Sequence, residues 1–149
     1  LIDSKLVDDI IRFVQKTNVD YGSNTLVERF PDGQDVEIFK FSALETAWKN
    51  AQLQSDREHV TPYIRNNSDF NGGTMFRAIN YPCEFDYSKI RMTVDEIRDF
   101  ELIEKLIENL GMDKTWLEYT NYIIKNDLTK VNNSIIRNEG LQISLKNDK

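Results

Sequence analysis

Ile90-Arg91-Met92-Thr93-Val94, running on through Asp95 to Leu110 and closed by Gly111, decides the fold class. Its first five residues read as a short strand. Thr93 and Glu96 then make the spacing of a capping box, and Ile97, Phe100, Ile103, Leu106, Ile107 and Leu110 recur along one helical stripe. Gly111 stands where helices commonly end in left-handed backbone. A strand leading directly into an amphipathic helix is a unit of an α/β domain.

Outward from this unit the same alternation continues. Asp3 predicts the cap of a first helix carrying Leu6, Ile10, Phe13 and Val14 and closed by Asn18. Val19 to Leu26 reads as a strand entering a loop. Phe30-Pro31-Asp32-Gly33-Gln34 is a turn, because proline presets one dihedral and glycine accepts a positive φ. Asp35 to Phe39 alternates as a half-buried strand, with Glu37 on the face opposite Val36 and Ile38. Ser42 and Glu45 predict a capped helix with Leu44, Ala47, Trp48 and Ala51 buried. A helical stretch follows over Asp56 to Asn67, its early part a loop if Pro62 is to sit in a first turn. Thr74 to Tyr81 reads as a strand stopped by Pro82. Helices are expected over Lys114 to Lys125 and around Leu128 to Arg137, with a fraying tail from Leu145.

The 149 residues amount to about one domain. With 40% hydrophobic and 30% charged residues they supply one real core. A net charge of -6 counts against nucleic-acid and anionic-membrane partners, which need a basic face. Cys83 is the single cysteine, so neither an intrachain disulfide framework nor a cysteine-cluster zinc site is possible. No apolar run has the length of a membrane span, and a cytoplasmic location is the expectation.

Asp95 follows the strand at its carboxyl end, where α/β sheets place ligands. It suits a hard cation such as Mg2+, which takes one or two carboxylates plus phosphate oxygens; it equally suits a first-turn acid facing a helix dipole. Asp99, one turn on, reads as structural. His59 is the only histidine and lies beside Glu58, which suits a polar contact or proton transfer as well as an ordinary surface position. Glu37 faces solvent or a ligand cleft. Arg91 either binds an anionic group bidentately or pairs with an acid on a neighbouring element. The sequence has no P-loop, no dinucleotide glycine fingerprint and no glycine-flanked nucleophilic serine.

Four stretches taken in order carry a resemblance: Phe30 to Phe39, Arg57-Glu58-His59-Val60-Thr61-Pro62-Tyr63-Ile64, Arg91-Met92-Thr93-Val94-Asp95 and Asn138-Glu139-Gly140-Leu141. Together they resemble the spore coat polysaccharide biosynthesis protein F family. These are cytidylyltransferase-like relatives of the acylneuraminate and 3-deoxy-manno-octulosonate cytidylyltransferases. The opening Leu1-Ile2-Asp3, without an initiator methionine, looks like the end of the family motif aspartate-x-proline-leucine-isoleucine-aspartate. The resemblance therefore implies that residues 1–149 are a single domain forming the C-terminal, sugar-side half of a nucleotide-diphospho-sugar transferase-like, Rossmann-like three-layer fold.

The activity implied is transfer of CMP from CTP to a sugar, with pyrophosphate leaving and Mg2+ offsetting the developing charge. By the same resemblance Asp95 matches the second of two metal-binding aspartates and is the implied catalytic residue. Glu58 and His59 fall where relatives contact the sugar, with Glu37, Asn24 and Arg91 as further residues of that cleft. One departure stands out: the family has proline two residues after this aspartate, and here Ile97 and Arg98 follow. The alternative is a non-catalytic sugar-nucleotide-binding or assembly module that self-associates into a homo-oligomer through an exposed sheet edge.

Overall fold

The computed structural model describes residues 1–148. Asp3 caps α1 (Ser4–Gln15) by accepting from the amides of Lys5 and Leu6. Its second carboxylate oxygen accepts from the amide of Trp116 at 3.0 Å, the first residue of α6 (Trp116–Lys125). One acid thus satisfies free amides at two helix starts, and it fixes the first helix against the late part of the chain.

The sheet is small and mixed, in the order β2-β1-β3. The central strand β1 (Tyr21–Ser23) pairs antiparallel with β2 (Glu37–Phe39) and parallel with β3 (Ala78–Asn80). Three apolar clusters surround it. Leu6, Ile10 and Val14 of α1 pack with Phe30 and Val36. Ala43 and Ala47 of α2 (Phe41–Asn50) pack with Tyr21, Ile64 and Phe76. Leu102, Ile103 and Leu106 of α5 (Ile97–Leu110) pack with Ile90, Met92 and Ile123. The chain is a mixed α/β fold, as its alternating pattern predicts. No helix among the described residues is long and apolar enough to cross a membrane.

Several local expectations are corrected. Ile90 to Val94 is not a strand; it makes a single parallel bridge, Asp32 to Arg91. The long helix begins at Ile97, and the side chain doing the work at its start is Asp99, which accepts from the amides of Asp95 and Glu96. Thr93 lies three residues before the N-cap Glu96, too early to cap this helix, and its hydroxyl donates to Asp95. Ile97 is 75% exposed and Phe100 53%, so the buried stripe runs instead through Asp99, Leu102, Ile103 and Leu106.

In α2 the helix starts one residue before Ser42, and Glu45 pairs with Lys49 inside it. Trp48 is 66% exposed, with the Arg57 guanidinium 4.7 Å over its ring; that cation–π contact takes the place of burial. The stretch Asp56 to Asn67 is two short helices, α3 (Gln54–Glu58) and α4 (Pro62–Asn66), separated at Val60 with φ 68°. Pro62 opens α4, where its missing N–H costs nothing. The last element, α7 (Glu139–Asn147), runs through the region expected to fray. It buries no residue of its own and is held by polar contacts to α3, described below.

The turn at Asp32-Gly33 lies directly against residues 90–92. The Asp32 amide donates to Ile90 O at 2.9 Å, and the Met92 amide donates to Asp32 O at 2.7 Å. Gly33 has φ 96°, and a Cβ there would meet the Met92 carbonyl at 2.7 Å. Both facts require glycine. Gly33→Ala is expected to cost about 1–3 kcal/mol in urea unfolding. Gly72→Ala, where φ is 82° but the surroundings are open, isolates the backbone share of that loss and should cost less.

Candidate functional site

The site is organised around Arg91. Its Nε donates to Asp99 Oδ1 at 3.0 Å, Nη1 to Asp32 Oδ2 at 2.8 Å, and Nη2 to Asp95 Oδ2 at 2.7 Å and Asp99 Oδ2 at 3.0 Å. The planar guanidinium suits this multi-point clamp, which a lysine ammonium would not reproduce. Arg91 and Asp32 are largely buried and Asp99 is fully buried. Asn132 Nδ2 donates to Asp99 at 2.8 Å and completes its surroundings. Burial alone would push the Asp99 carboxyl up. Hydrogen bonds from Arg91, Asn132 and the Asp95 and Glu96 amides overcome this and hold it at about 2.

Asp95 differs from its two fellow acids. Its side chain is 69% exposed. Oδ2 accepts from both Arg91 and the Thr93 hydroxyl, the latter at 2.9 Å, while Oδ1 has no hydrogen-bond partner among the described residues. Asp95 lies ahead of the helix start rather than in its first turn. It is therefore an oriented carboxylate with one oxygen directed elsewhere.

Asp32, Arg91 and Asp95 line a cleft of about 530 Å³ together with His59 and residues Asn138 to Leu141. A second cleft of about 450 Å³ shares His59, Asn138 and Leu141 and is lined further by Glu37, Thr61 and Arg65. Glu37 accepts from Thr61 Oγ1 at 2.9 and 3.1 Å and from the hydroxyl of Tyr21. Tyr21 is buried, and burial followed by the Glu37 charge pushes its phenol up, so it stays a donor to Glu37. His59 Nε2 lies 3.1 Å from Ser144 Oγ, which also donates to Glu58 at 3.0 Å. Asp148 Oδ1 accepts from the Ser55 amide at 3.1 Å. These contacts fasten α7 to α3 and carry the Asn138 to Leu141 wall.

The structure thus brings Asp95, Arg91, His59 and Glu37 to two joined clefts. Glu58 lines neither cleft; it accepts from Ser144, whose hydroxyl lies against the cleft residue His59. Asn24 is a correction: it is buried, its Nδ2 donates to Gln34 O at 2.7 Å and its Oδ1 accepts from Val36 N at 2.8 Å. Both ends of the amide are consumed in holding the turn beside β1. Arg91 resolves to pairing with acids, because four of its five N–H groups are given to Asp32, Asp95 and Asp99.

Two residues escaped the sequence reading. Arg137 Nη2 donates to Asp35 at 2.8 Å and Nη1 to Phe30 O at 3.3 Å. Arg65 lines the second cleft. Neither lies in a local pattern, although Asn138, next to Arg137, opens one of the stretches that carry the resemblance.

Magnesium coordination can be judged from the donors. Among the described residues no group of three or more His, Cys, Asp or Glu is arranged to hold a metal ion. The free Oδ1 of Asp95 supplies one anionic oxygen, which fits a cation that takes its remaining ligands from phosphate and water.

No protein-family model matches the chain. An uncharacterized protein of Methanocaldococcus jannaschii is 33% identical over 140 residues, which cover 92% of this chain and 54% of the relative. The solved structure of a cytidylyltransferase from Leptospira borgpetersenii superposes with a TM-score of 0.80 at 29% sequence identity, over 91% of this chain and 56% of that one. The chain spans about half the length of each protein it matches. Its fold is that of the corresponding part of a cytidylyltransferase.

The Arg91 clamp makes a stability prediction. Asp99→Ala leaves Arg91 largely buried with an acid missing, and should destabilise the chain by about 3–5 kcal/mol in urea unfolding. Because the folded pKa of Asp99 lies below its ordinary value of 3.8, its contribution is present above that value and is lost as pH falls toward about 2. Wild-type stability measured across that window should therefore fall more steeply than that of Asp99→Asn.

Proposed function

We propose that this chain supplies the sugar-side part of a sugar cytidylyltransferase that transfers CMP from CTP to a sugar, with release of pyrophosphate. One observation carries the reading. The four stretches that carry the resemblance, far apart in sequence, contribute Asp32, His59, Arg91 with Asp95, and Asn138 to Leu141 to a single cleft. The cytidylyltransferase neighbour supports the same class.

In this reading Asp95 Oδ1 would help hold a magnesium ion, which when bound would offset the charge developing on the transferred group. Arg91 and Thr93 act as positioning residues. By holding Oδ2 they fix the direction of Oδ1, so no orientation is lost on binding. Glu37 and His59 contact the sugar from the second cleft, which places its attacking hydroxyl toward the first. Glu37 is itself fixed by Tyr21 and Thr61, so it presents acceptors in one geometry. Ser144 and Glu58 support His59 from behind. The surface polysaccharide or spore coat pathway belongs to this reading through the resemblance alone.

The test is CTP-dependent pyrophosphate release by the protein that carries this chain, assayed with acid sugars and Mg2+. Asp95→Ala should lower kcat at least about a hundredfold, the scale of losing a group that acts on the transition state. Thr93→Val should have a smaller effect of the same kind. Unchanged turnover in Asp95→Ala would remove that residue from the reacting centre.

A further inference from the structure

Arg65, in the last turn of α4, stands apart from the other cleft-lining arginines. Arg91 and Arg137 are matched to carboxylates. Arg65 is half-buried as a residue and, among the described residues, its guanidinium forms neither an ion pair nor a side-chain hydrogen bond. Withdrawing a cation partly from water without a counter-charge is unfavourable, so the position is best satisfied when an anion arrives from outside. It shares the cleft with Glu37 and Thr61, and its charge is felt at the Tyr21 phenol that donates to Glu37.

The neighbours restrict what that anion can belong to. Glu37 is acceptor-only when ionised, and its two oxygens are pinned by Thr61 and Tyr21. A ligand beside it must present hydroxyl or other donors. Phe39 adds an apolar ring to the same wall, suited to the carbon-bound face of a sugar ring. The volume of about 450 Å³ fits a small ligand rather than a macromolecule.

We propose that Arg65 is the specificity-determining receptor for the negative group, carboxylate or phosphate, of a polyhydroxylated ligand whose hydroxyls are held by Glu37. This rests on the sugar-side reading above for its place in a reaction, though the binding itself does not require turnover. A guanidinium takes either anion bidentately, so the two sources share one chemistry.

The test is an NMR titration of the 15N-labelled chain, without CTP, following the Arg65 side-chain Nε–H and the Thr61 amide. The probes are glucuronate, glucose 6-phosphate, glucose and inorganic phosphate. At least one of the two charged sugars should shift both signals saturably and bind about tenfold or more tightly than glucose. Which one does so assigns the negative group to carboxylate or phosphate. Inorganic phosphate should shift Arg65 but leave Thr61 nearly unmoved.

Arg65→Gln should weaken the charged sugar about tenfold, and Arg65→Lys by less, since lysine keeps the charge without the fork. Retained dispersion in the variant spectra shows that the fold is intact. Equal binding of glucose and both charged sugars, no response to either charged sugar, or an unchanged affinity in Arg65→Gln would overturn the proposal. A protein inactive toward CTP can still pass this test, and an active one can still fail it, so the two readings are judged separately.

Discussion

One guanidinium against three aspartates holds the cleft together. Arg91 reaches Asp32 from the 30–34 turn, Asp99 from the long helix and Asp95 from the short segment that leads into that helix. Without it, three acids from separate parts of the chain would meet in a partly buried space and repel. With it they become a joint between the turn and α5. The isolated bridge from Asp32 to Arg91 and the close approach of Gly33 to Met92 are the backbone side of the same joint. The specificity of this cluster follows from desolvation: a buried ion group is favourable only when every member has its partners, so a near-native arrangement missing one is penalised.

The joint also decides which acid is available. Asp99 is buried and saturated by Arg91, Asn132 and two amides. Asp32 is largely buried and gives Oδ2 to Arg91. Only Asp95 is both oriented and exposed, because it precedes the helix rather than belonging to it. The later helix start is thus what leaves Asp95 outside the helix and exposed. Asp99 takes the amides of Asp95 and Glu96, and Asp95 is left at the cleft with one oxygen free.

Much of this was legible in the residues. Asp3 as the cap of the first helix, Gly33 in its turn, Gly111 at the helix end and the structural role of Asp99 all follow from local rules of spacing and backbone geometry, whereas the second contact of Asp3, to Trp116, does not. The errors have a common origin. Periodicity placed Ile97 and Phe100 inside because they lie on a helical stripe, but the orientation of α5 is set by Arg91 drawing in Asp99, a contact no apolar pattern reports. Trp48 read as core from its hydrophobicity, whereas Arg57 from the next helix covers its ring at the surface. The role of Asn24 was misread because its two backbone partners lie 10 and 12 residues away. Arg137 was invisible for the same reason, since its partners Phe30 and Asp35 lie more than 100 residues distant.

Electrostatic polarity gives the two clefts different work. Around the first, Asp32, Asp95, Glu96 and Glu139 outnumber the Arg91 cation, which is already committed. A polyphosphate approaching that wall meets net negative charge and gains from a cation bound between, the situation in which a divalent ion is most useful. At the second cleft Glu28, Asp35 and Glu37 also outnumber Arg65 and Arg137, but Arg137 is paired with Asp35, and Arg65 is the cation there with no ion pair among the described residues. A negative substituent is drawn to the Arg65 end and repelled from the Asp95 end. His59, shared by both linings, marks the passage between them. On the proposed reading an anionic group would sit at Arg65 and hydroxyls at Glu37, with Asp95 on the far side of His59.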